Sequence, residues 1–105
     1  MIVRIWHGRT RRECADEYAA FLTLRAIPDY RGTEGNLDVV ILRRDEAGVS
    51  HFLTVTRWES EQAIRAFAGP EVLKAKYYDE DQDFLVDFED QVQHYTVVAR
   101  ARSRS

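Results

Sequence analysis

The chain has 105 residues, the size of one domain, and its 45% apolar and 31% charged residues are an ordinary globular balance. Fifteen Lys and Arg against eighteen Asp and Glu give a net charge of −3, which argues against a nucleic-acid-binding protein driven by bulk charge. No apolar run is long enough to span a membrane. The single cysteine, Cys14, and the absence of a secretory-signal pattern predict a cytoplasmic protein.

The N-terminal third predicts a strand followed by a helix. Residues 1–7 are rich in Ile, Val and Trp and indicate a strand that ends at Gly8. Thr10 and Glu13 match a capping box, so we expect a helix to begin there. The helix is expected to end before Pro28, because proline disfavours helical geometry in the residue that precedes it.

The middle of the chain predicts a β-hairpin and a second helical region. Strands are expected over residues 37–42 and 49–58, joined by a short polar turn. Ser60 is a suitable N-cap for a helix that follows the second strand. A Gly-Pro pair at 69–70 interrupts this helix, and a new helix is predicted over residues 71–78, since proline is favoured in the first turn.

The C-terminal third begins with an acidic stretch. Residues 79–90 are rich in Asp and Glu, and the apolar residues among them predict a short docked turn with its carboxylates in solvent. Residues 92–99 alternate, with several Val and a Tyr, and predict a fourth strand. Residues 1–99 are therefore expected to form a single domain, followed by a short basic tail over residues 100–105.

The predicted order βαββαβ is that of the ferredoxin-like α+β fold, with a four-stranded antiparallel sheet and both helices on one face. Apolar side chains alternate onto both faces, as Val39 and Ile41 do against Val40 and Leu42. An uncovered apolar face on the order of several hundred Å² is uncommon on a monomer. We therefore predict a homodimer joined through the sheet faces. The alternative is a monomer whose second face is wetted by threonines.

The best-marked part of the chain is a strand that ends in Trp, followed by Ser and by an amphipathic helix with an aromatic residue. These features and the final His-Tyr pair are carried by residues 52–60, 63–67, 72–76 and 94–95. The pattern resembles the antibiotic biosynthesis monooxygenase family of dimeric α+β barrel proteins, over residues 1–99. The resemblance implies a homodimer and a cavity for a small apolar or aromatic ligand beneath the helices.

The resemblance implies a cofactor-independent monooxygenase that acts on a small aromatic or quinol-type substrate. The alternative is a non-catalytic, small-ligand-binding or stress-related dimeric module. The family also has a haem-degrading branch, which uses an Asn, a Trp and a His. Those roles fall on Trp6 or His7, on Phe67 and on Tyr77, so none of the three residue types is kept. This speaks against haem degradation.

Cofactor-independent oxygenation needs a base that deprotonates a hydroxyarene, an apolar pocket and a group that stabilises the anion. The candidate catalytic residues are His7, as an imidazole base, and Tyr77. The candidate substrate-binding residues are Trp6, Trp58, Phe67, Tyr78 and His94. For the aromatic members of this set, a place in the core is the alternative. The three histidines show no metal-binding spacing, so neither a metal nor a cofactor is expected.

Overall fold

A computed structural model describes residues 1–103 of the chain, so the last two residues of the predicted basic tail lie outside the described residues. The strands are β1 (Ile2–Arg11), β2 (Asn36–Glu46), β3 (Val49–Trp58) and β4 (Gln93–Thr96). The helical segments are a 3-10 turn (Arg12–Cys14), α1 (Ala15–Phe21), a π turn (Leu22–Ala26), α2 (Ile27–Arg31), α3 (Glu61–Ala68) and a second 3-10 segment (Asp79–Asp83).

The four strands form one antiparallel sheet in the order β2-β3-β1-β4, which confirms the predicted ferredoxin-like α+β fold. Burial alternates along β3, where Phe52, Thr54 and Trp58 are buried and their neighbours are only partly so. The helices therefore cover one face of the sheet. The molecule is 21 Å thick in its shortest dimension, as expected for one sheet and one helical layer. Within residues 1–103, no helix is long and apolar enough to cross a membrane.

The first helical region differs from the prediction at both ends. Thr10 does not cap a helix, because β1 continues through it and pairs it with Ser50 of β3. The helix also continues past Pro28, through the π turn and into α2. Pro28 lies in the first turn of α2. The absence of a backbone N–H at Pro28 costs little stability, because the backbone hydrogen bonds change there from the π to the α pattern.

The helix predicted over residues 71–78 is absent, and this prediction was wrong. The segment begins with a turn, in which the Lys74 amide donates to the Glu71 carbonyl at 2.9 Å. It then pairs with the chain ahead of β4: the Ala75 amide donates to the Asp90 carbonyl at 2.9 Å, and the Val92 amide donates to the Leu73 carbonyl at 2.8 Å. Backbone groups that a helix would have paired internally therefore form hydrogen bonds between residues 73–75 and residues 90–92. The fourth strand is also shorter than predicted, four residues rather than eight.

Ser60 caps α3 as predicted, because its hydroxyl accepts a hydrogen bond from the Ala63 amide at 3.2 Å. We expect Ser60→Ala to lower the free energy of unfolding by about 1 kcal/mol, since the amide then loses its partner. Urea denaturation measures this change. Ser103→Ala, on an exposed residue outside every helix and strand, is the control and should change stability by less than about 0.5 kcal/mol.

Candidate functional site

A layer of aromatic side chains fills the space between the helices and the sheet. Trp6 projects from β1, Tyr18 from α1 and Tyr30 from α2, and all three are buried. The ring centroids of Trp6 and Tyr18 are 6.5 Å apart, and Tyr30 stacks on Phe67 of α3 at 4.4 Å. A cavity of about 10 Å³ remains within this layer. That volume is enough for one water molecule.

A buried carboxylate lies at the edge of this cavity. Asp81, in the second 3-10 segment, is only 2% exposed. It accepts hydrogen bonds from the Tyr18 hydroxyl at 2.8 Å and from the Tyr78 amide at 2.6 Å. Burial raises the pKa of Asp81, although these two hydrogen bonds act in the opposite direction. The pKa of Tyr18 is also raised, by burial and by the neighbouring Asp81, so the phenol stays a neutral donor.

A second carboxylate, that of Asp29, contacts the side chain of the same tyrosine whose amide binds Asp81. Asp29 accepts hydrogen bonds from the Tyr78 hydroxyl at 2.5 Å and from the Lys76 ammonium at 3.0 Å. Burial alone would raise the pKa of Asp29, but these hydrogen bonds and the Lys76 charge lower it. The same ammonium lies 4.1 Å from the centroid of the Phe67 ring. The anionic form of Asp29 is therefore stabilised, whereas the burial of Asp81 favours its neutral form.

The indole of Trp6 lines the cavity and carries one N–H donor. Its N–H is buried and makes no hydrogen bond of standard geometry within residues 1–103, although it lies close enough to the Tyr77 hydroxyl to act on the pKa of that group as a donor. Such a group costs free energy unless a partner is supplied. Gly8 makes room for the indole, because a Cβ at Gly8 would lie 2.3 Å from the Trp6 ring. The cavity is also lined by Leu22 and Ala26 of the π turn, and π turns occur often at functional sites.

A strap, defined as residues 84–89, closes the layer along the part of β1 that β4 does not reach. Leu85 forms an isolated bridge with Thr10, and the Val86 amide donates to the Arg9 carbonyl at 2.9 Å. Phe84 packs against Tyr18 with ring centroids 5.3 Å apart. The strap follows directly on the segment that holds Asp81, and it adjoins the site through the contact of Phe84 with Tyr18.

The two predicted catalytic residues lie outside this cavity. His7 is on the opposite face of the sheet, where its Nε2 is 3.1 Å from Nδ1 of His51 and its Nδ1 pairs with Glu89. Tyr77 is half-buried, and its hydroxyl donates to the Glu89 carbonyl at 2.5 Å. Both residues therefore contact Glu89 of the strap, but the imidazole cannot take a proton from a molecule held below the helices.

Of the five predicted substrate-binding residues, Trp6 and Tyr78 line the cavity. Trp58 is fully buried in the core, and its indole donates to the Thr56 hydroxyl at 2.8 Å. Phe67 packs between Trp58 and Tyr30 and is buried as well. The structure thus brings two of the five together at the cavity and places these two others in the adjoining core.

His94 lies at the edge of the sheet, away from the cavity. Its Nε2 is 3.0 Å from the buried Arg4 guanidinium. That guanidinium also donates to the carbonyls of Val72 and Lys74, and these hydrogen bonds hold residues 72–74 against β1. Burial and the Arg4 charge lower the pKa of His94. His94 therefore contacts Arg4 and does not line the cavity, and its role in substrate binding stays a prediction.

The sequence analysis missed Asp81, because the acidic run that contains it was interpreted as solvated surface. That interpretation holds for Asp79 and Asp83, which are exposed, and fails for Asp81. The one available signal was the pair of apolar residues that follow, Phe84 and Leu85, which needed a buried surface to pack on.

The fold and the site define a ferredoxin-like α+β protein with a buried carboxylate and an aromatic layer between its helices and its sheet. The family model for antibiotic biosynthesis monooxygenases matches residues 1–76. The chain belongs to this family. Asp81 and the strap follow the matched region. No curated protein sequence matches the chain.

Solved structures share the fold. A candidate antibiotic biosynthesis monooxygenase of Bacillus cereus is 18% identical, with a TM-score of 0.64 and coverage of 97% of each chain. One from Nitrosomonas europaea is 13% identical, with a TM-score of 0.68, covering 94% of this chain and all of the other. The haem degrader MhuD of Mycobacterium tuberculosis, solved with two haems in its active site, is 20% identical, with a TM-score of 0.65, covering 97% of this chain and all of the other.

Proposed function

We propose that the protein is a cofactor-independent monooxygenase for a small aromatic or quinol-type substrate, and that the reaction takes place in the aromatic layer at Asp81. The observation that carries this proposal is a buried carboxylate with a raised pKa that lines the same cavity as the Trp6 indole and two tyrosines of the aromatic layer. Titratable groups whose pKa values are shifted by burial are typical of acid–base sites.

In this proposal, Asp81 is the general base and Trp6 is the hydrogen-bond donor. Asp81 accepts the proton of a hydroxyarene and so creates an electron-rich anion, while the Trp6 N–H donates to the oxygen that gains charge. With an anthrone-type substrate, O₂ then oxidises a ring CH₂ to C=O. One oxygen atom enters the product and the other leaves as water with the two hydrogens of the CH₂ group. The substrate supplies all the electrons, so no external reductant is required.

The substrate needs more room than the closed cavity provides. An aromatic ring cannot enter a space of about 10 Å³, so part of the wall has to move. The strap is the segment whose movement would uncover Tyr18. It is held to β1 by one bridge, one further backbone hydrogen bond, and ion pairs from Arg9 to Asp87 and from His7 to Glu89. Its movement would open the layer without disturbing the sheet. Opening would also separate Phe84 from Tyr18 and expose the buried Leu85.

We also propose that a second copy of the chain covers the outer face of the sheet. Cross-strand rows on that face place Val40, Val55 and Ile5 side by side, and Leu42 beside Leu53. Val40 remains 47% exposed and Leu42 46% exposed. An apolar face of this kind, flanked by ion pairs, suits a two-fold interface in which the same patch meets itself.

A non-catalytic ligand-binding module is the second candidate. The small volume of the closed cavity favours it, because a protein that only stores or senses a ligand can stay closed most of the time. The aromatic lining and the Trp6 N–H serve a bound molecule equally well. The two candidates differ in whether oxygen is consumed.

Haem, which MhuD binds, does not fit the residues of this chain. His7 and His51 lie on the outer face of the sheet, and His94 is bonded to Arg4. Phe67 is packed in the core. The cavity therefore offers no imidazole ligand for haem iron.

Oxygen consumption tests the proposal. With hydroxyanthrone and hydroquinone substrates, in the presence of a metal chelator, we expect enzyme-dependent oxygen uptake and one atom of ¹⁸O₂ in the product. Heat-denatured protein is the control for autoxidation. Binding of the same substrates, seen as quenching of Trp fluorescence, without oxygen uptake would contradict the monooxygenase and support the binding module.

A further inference from the structure

The outer face of the sheet carries two imidazoles in direct contact. His7 of β1 and His51 of β3 stack with ring centroids 5.3 Å apart and an angle of 9° between the ring planes. Nε2 of His7 lies 3.1 Å from Nδ1 of His51. Both rings are partly exposed, and His7 borders a groove of about 850 Å³ that is also lined by Ile5, Leu53 and Glu89.

Each imidazole has a carboxylate at its outer nitrogen. Glu89 pairs with Nδ1 of His7, and Glu46 lies 3.9 Å from Nε2 of His51. The Glu89 carboxylate accepts the Nδ1–H of His7, so Nε2 of His7 is an acceptor, whereas Glu46 at 3.9 Å is beyond hydrogen-bonding distance of His51. Nδ1 of His51 then carries the one hydrogen of the 3.1 Å contact. A metal ion that took the place of this hydrogen would bind both nitrogens.

We propose that His7 and His51 form a binding site for a divalent transition-metal ion such as Zn²⁺, Ni²⁺ or Cu²⁺. Imidazole nitrogen favours these ions over Mg²⁺ or Ca²⁺, which prefer oxygen ligands. Two imidazole nitrogens on a tetrahedral zinc are about 3.4 Å apart, given a Zn–N distance of roughly 2.05 Å. The observed 3.1 Å needs to widen by only a few tenths of an ångström.

The surrounding charges favour a cation. Arg9 pairs with Asp87 and Arg44 pairs with Glu46, which leaves the Glu89 carboxylate as one uncompensated negative charge near the pair. Within residues 1–103, no group of three or more metal-ligating side chains is present. His7 continues the cross-strand row of Leu42 and Leu53, so the pair borders the proposed dimer interface. The groove beside it leaves room for the water molecules that would complete the coordination, so this is an exchangeable site of moderate affinity rather than a structural one.

Sequence spacing could not indicate this site, because the two histidines are 44 residues apart. The antiparallel register brings them together. His7 is opposite Leu53, and Arg9 is opposite His51, so the two imidazoles are diagonal neighbours on the same face. Each carboxylate is likewise supplied by another segment, Glu89 by the strap and Glu46 by the end of β2.

Calorimetric titration with NiSO₄ or ZnCl₂ tests the site, and MgCl₂ serves as the negative control. We expect one ion to bind per chain, and we expect His7→Ala and His51→Ala each to abolish binding. Glu89→Gln keeps the shape but removes the charge that orients His7, and should weaken binding about 10-fold. Electron paramagnetic resonance of bound Cu²⁺ should show two coordinated nitrogens.

His94→Gln is the matched control, because it removes the third imidazole and leaves the pair intact. It should bind the ion as the unmodified protein does. Absence of binding in the unmodified protein, or binding that survives both His7→Ala and His51→Ala, would overturn the proposal. Neither measurement uses a substrate, so the outcome is independent of the proposed monooxygenase.

Discussion

Asp81→Asn is expected to reduce oxygen uptake by about 10²–10⁴-fold, the contribution of a positioned general base. The amide keeps the volume of the carboxylate and can still accept a hydrogen bond from the Tyr18 hydroxyl, but it cannot take a proton. The rate of oxygen consumption at saturating substrate measures this effect. Asp83→Asn, on an exposed residue two positions along, is the matched control and should leave the rate unchanged.

The pH dependence of oxygen uptake provides a second test of Asp81 as the general base. Because burial raises the pKa of Asp81 above its ordinary 3.8, the carboxylate forms only as the pH rises through that higher value. Oxygen uptake should rise over this range, and Asp81→Asn should lack the rise. A rate that is unaltered in Asp81→Asn would exclude Asp81 as the base.

Stability should change with pH in the opposite direction. A group whose pKa is higher in the folded than in the unfolded state contributes stability in acid, and this contribution is lost as the pH rises through the folded pKa. The stability of the unmodified protein relative to Asp81→Asn should therefore be greatest in acid and decline over the range in which uptake increases. Thermal unfolding of both proteins across mild acid pH measures the difference.

Val55→Asp is expected to convert the proposed dimer into monomers. Val55 lies on a central strand of the outer face, between Val40 and Ile5, and a two-fold interface would bury the new carboxylate in both copies. An unpaired buried charge costs about 3 kcal/mol, so the two copies together lose about 6 kcal/mol, which corresponds to a dissociation constant about 10⁴-fold higher. Sedimentation equilibrium at micromolar loading measures this change.

A second interface variant and a control variant distinguish loss of the dimer from loss of the fold. Val40→Asp changes an exposed residue of the same row, so it tests the interface even if Val55→Asp disturbs the fold. Leu24→Asp changes an apolar residue on the helical side that is 79% exposed, and it should leave the association unchanged. An unmodified protein that sediments as a monomer at every loading would refute the interface.

The central hairpin and the cap of α3 followed from local sequence, whereas the cap predicted at Thr10 did not form. Alternation along residues 49–58 predicted β3 and its two faces, and Ser60 was identified as the cap of α3. These features depend on side chains a few residues apart, whose effect on the backbone is fixed by steric and hydrogen-bonding rules. The prediction failed over residues 71–78, where the backbone bonds instead to Arg4 and to residues 90–92.

The candidate site depended on the tertiary structure. Asp81 and its neighbours in the acidic run are chemically alike, and only the packing of the following strap against Tyr18 buries one carboxylate and leaves the others in solvent. His7 was recognised as a chemically capable residue, but its face of the sheet was assigned only by the strand register.

Taken by itself, the amino-acid sequence determined the order of strands and helices, the apolar character of both sheet faces and the family resemblance, because each arises from short-range pattern. The tertiary structure alone decided which carboxylate is buried and which histidines meet. Tyr18 and Asp81 are 63 residues apart, and His7 and His51 are 44 apart. Contacts at such separations are set by how the helices and the strap close over the sheet, and no local preference encodes them.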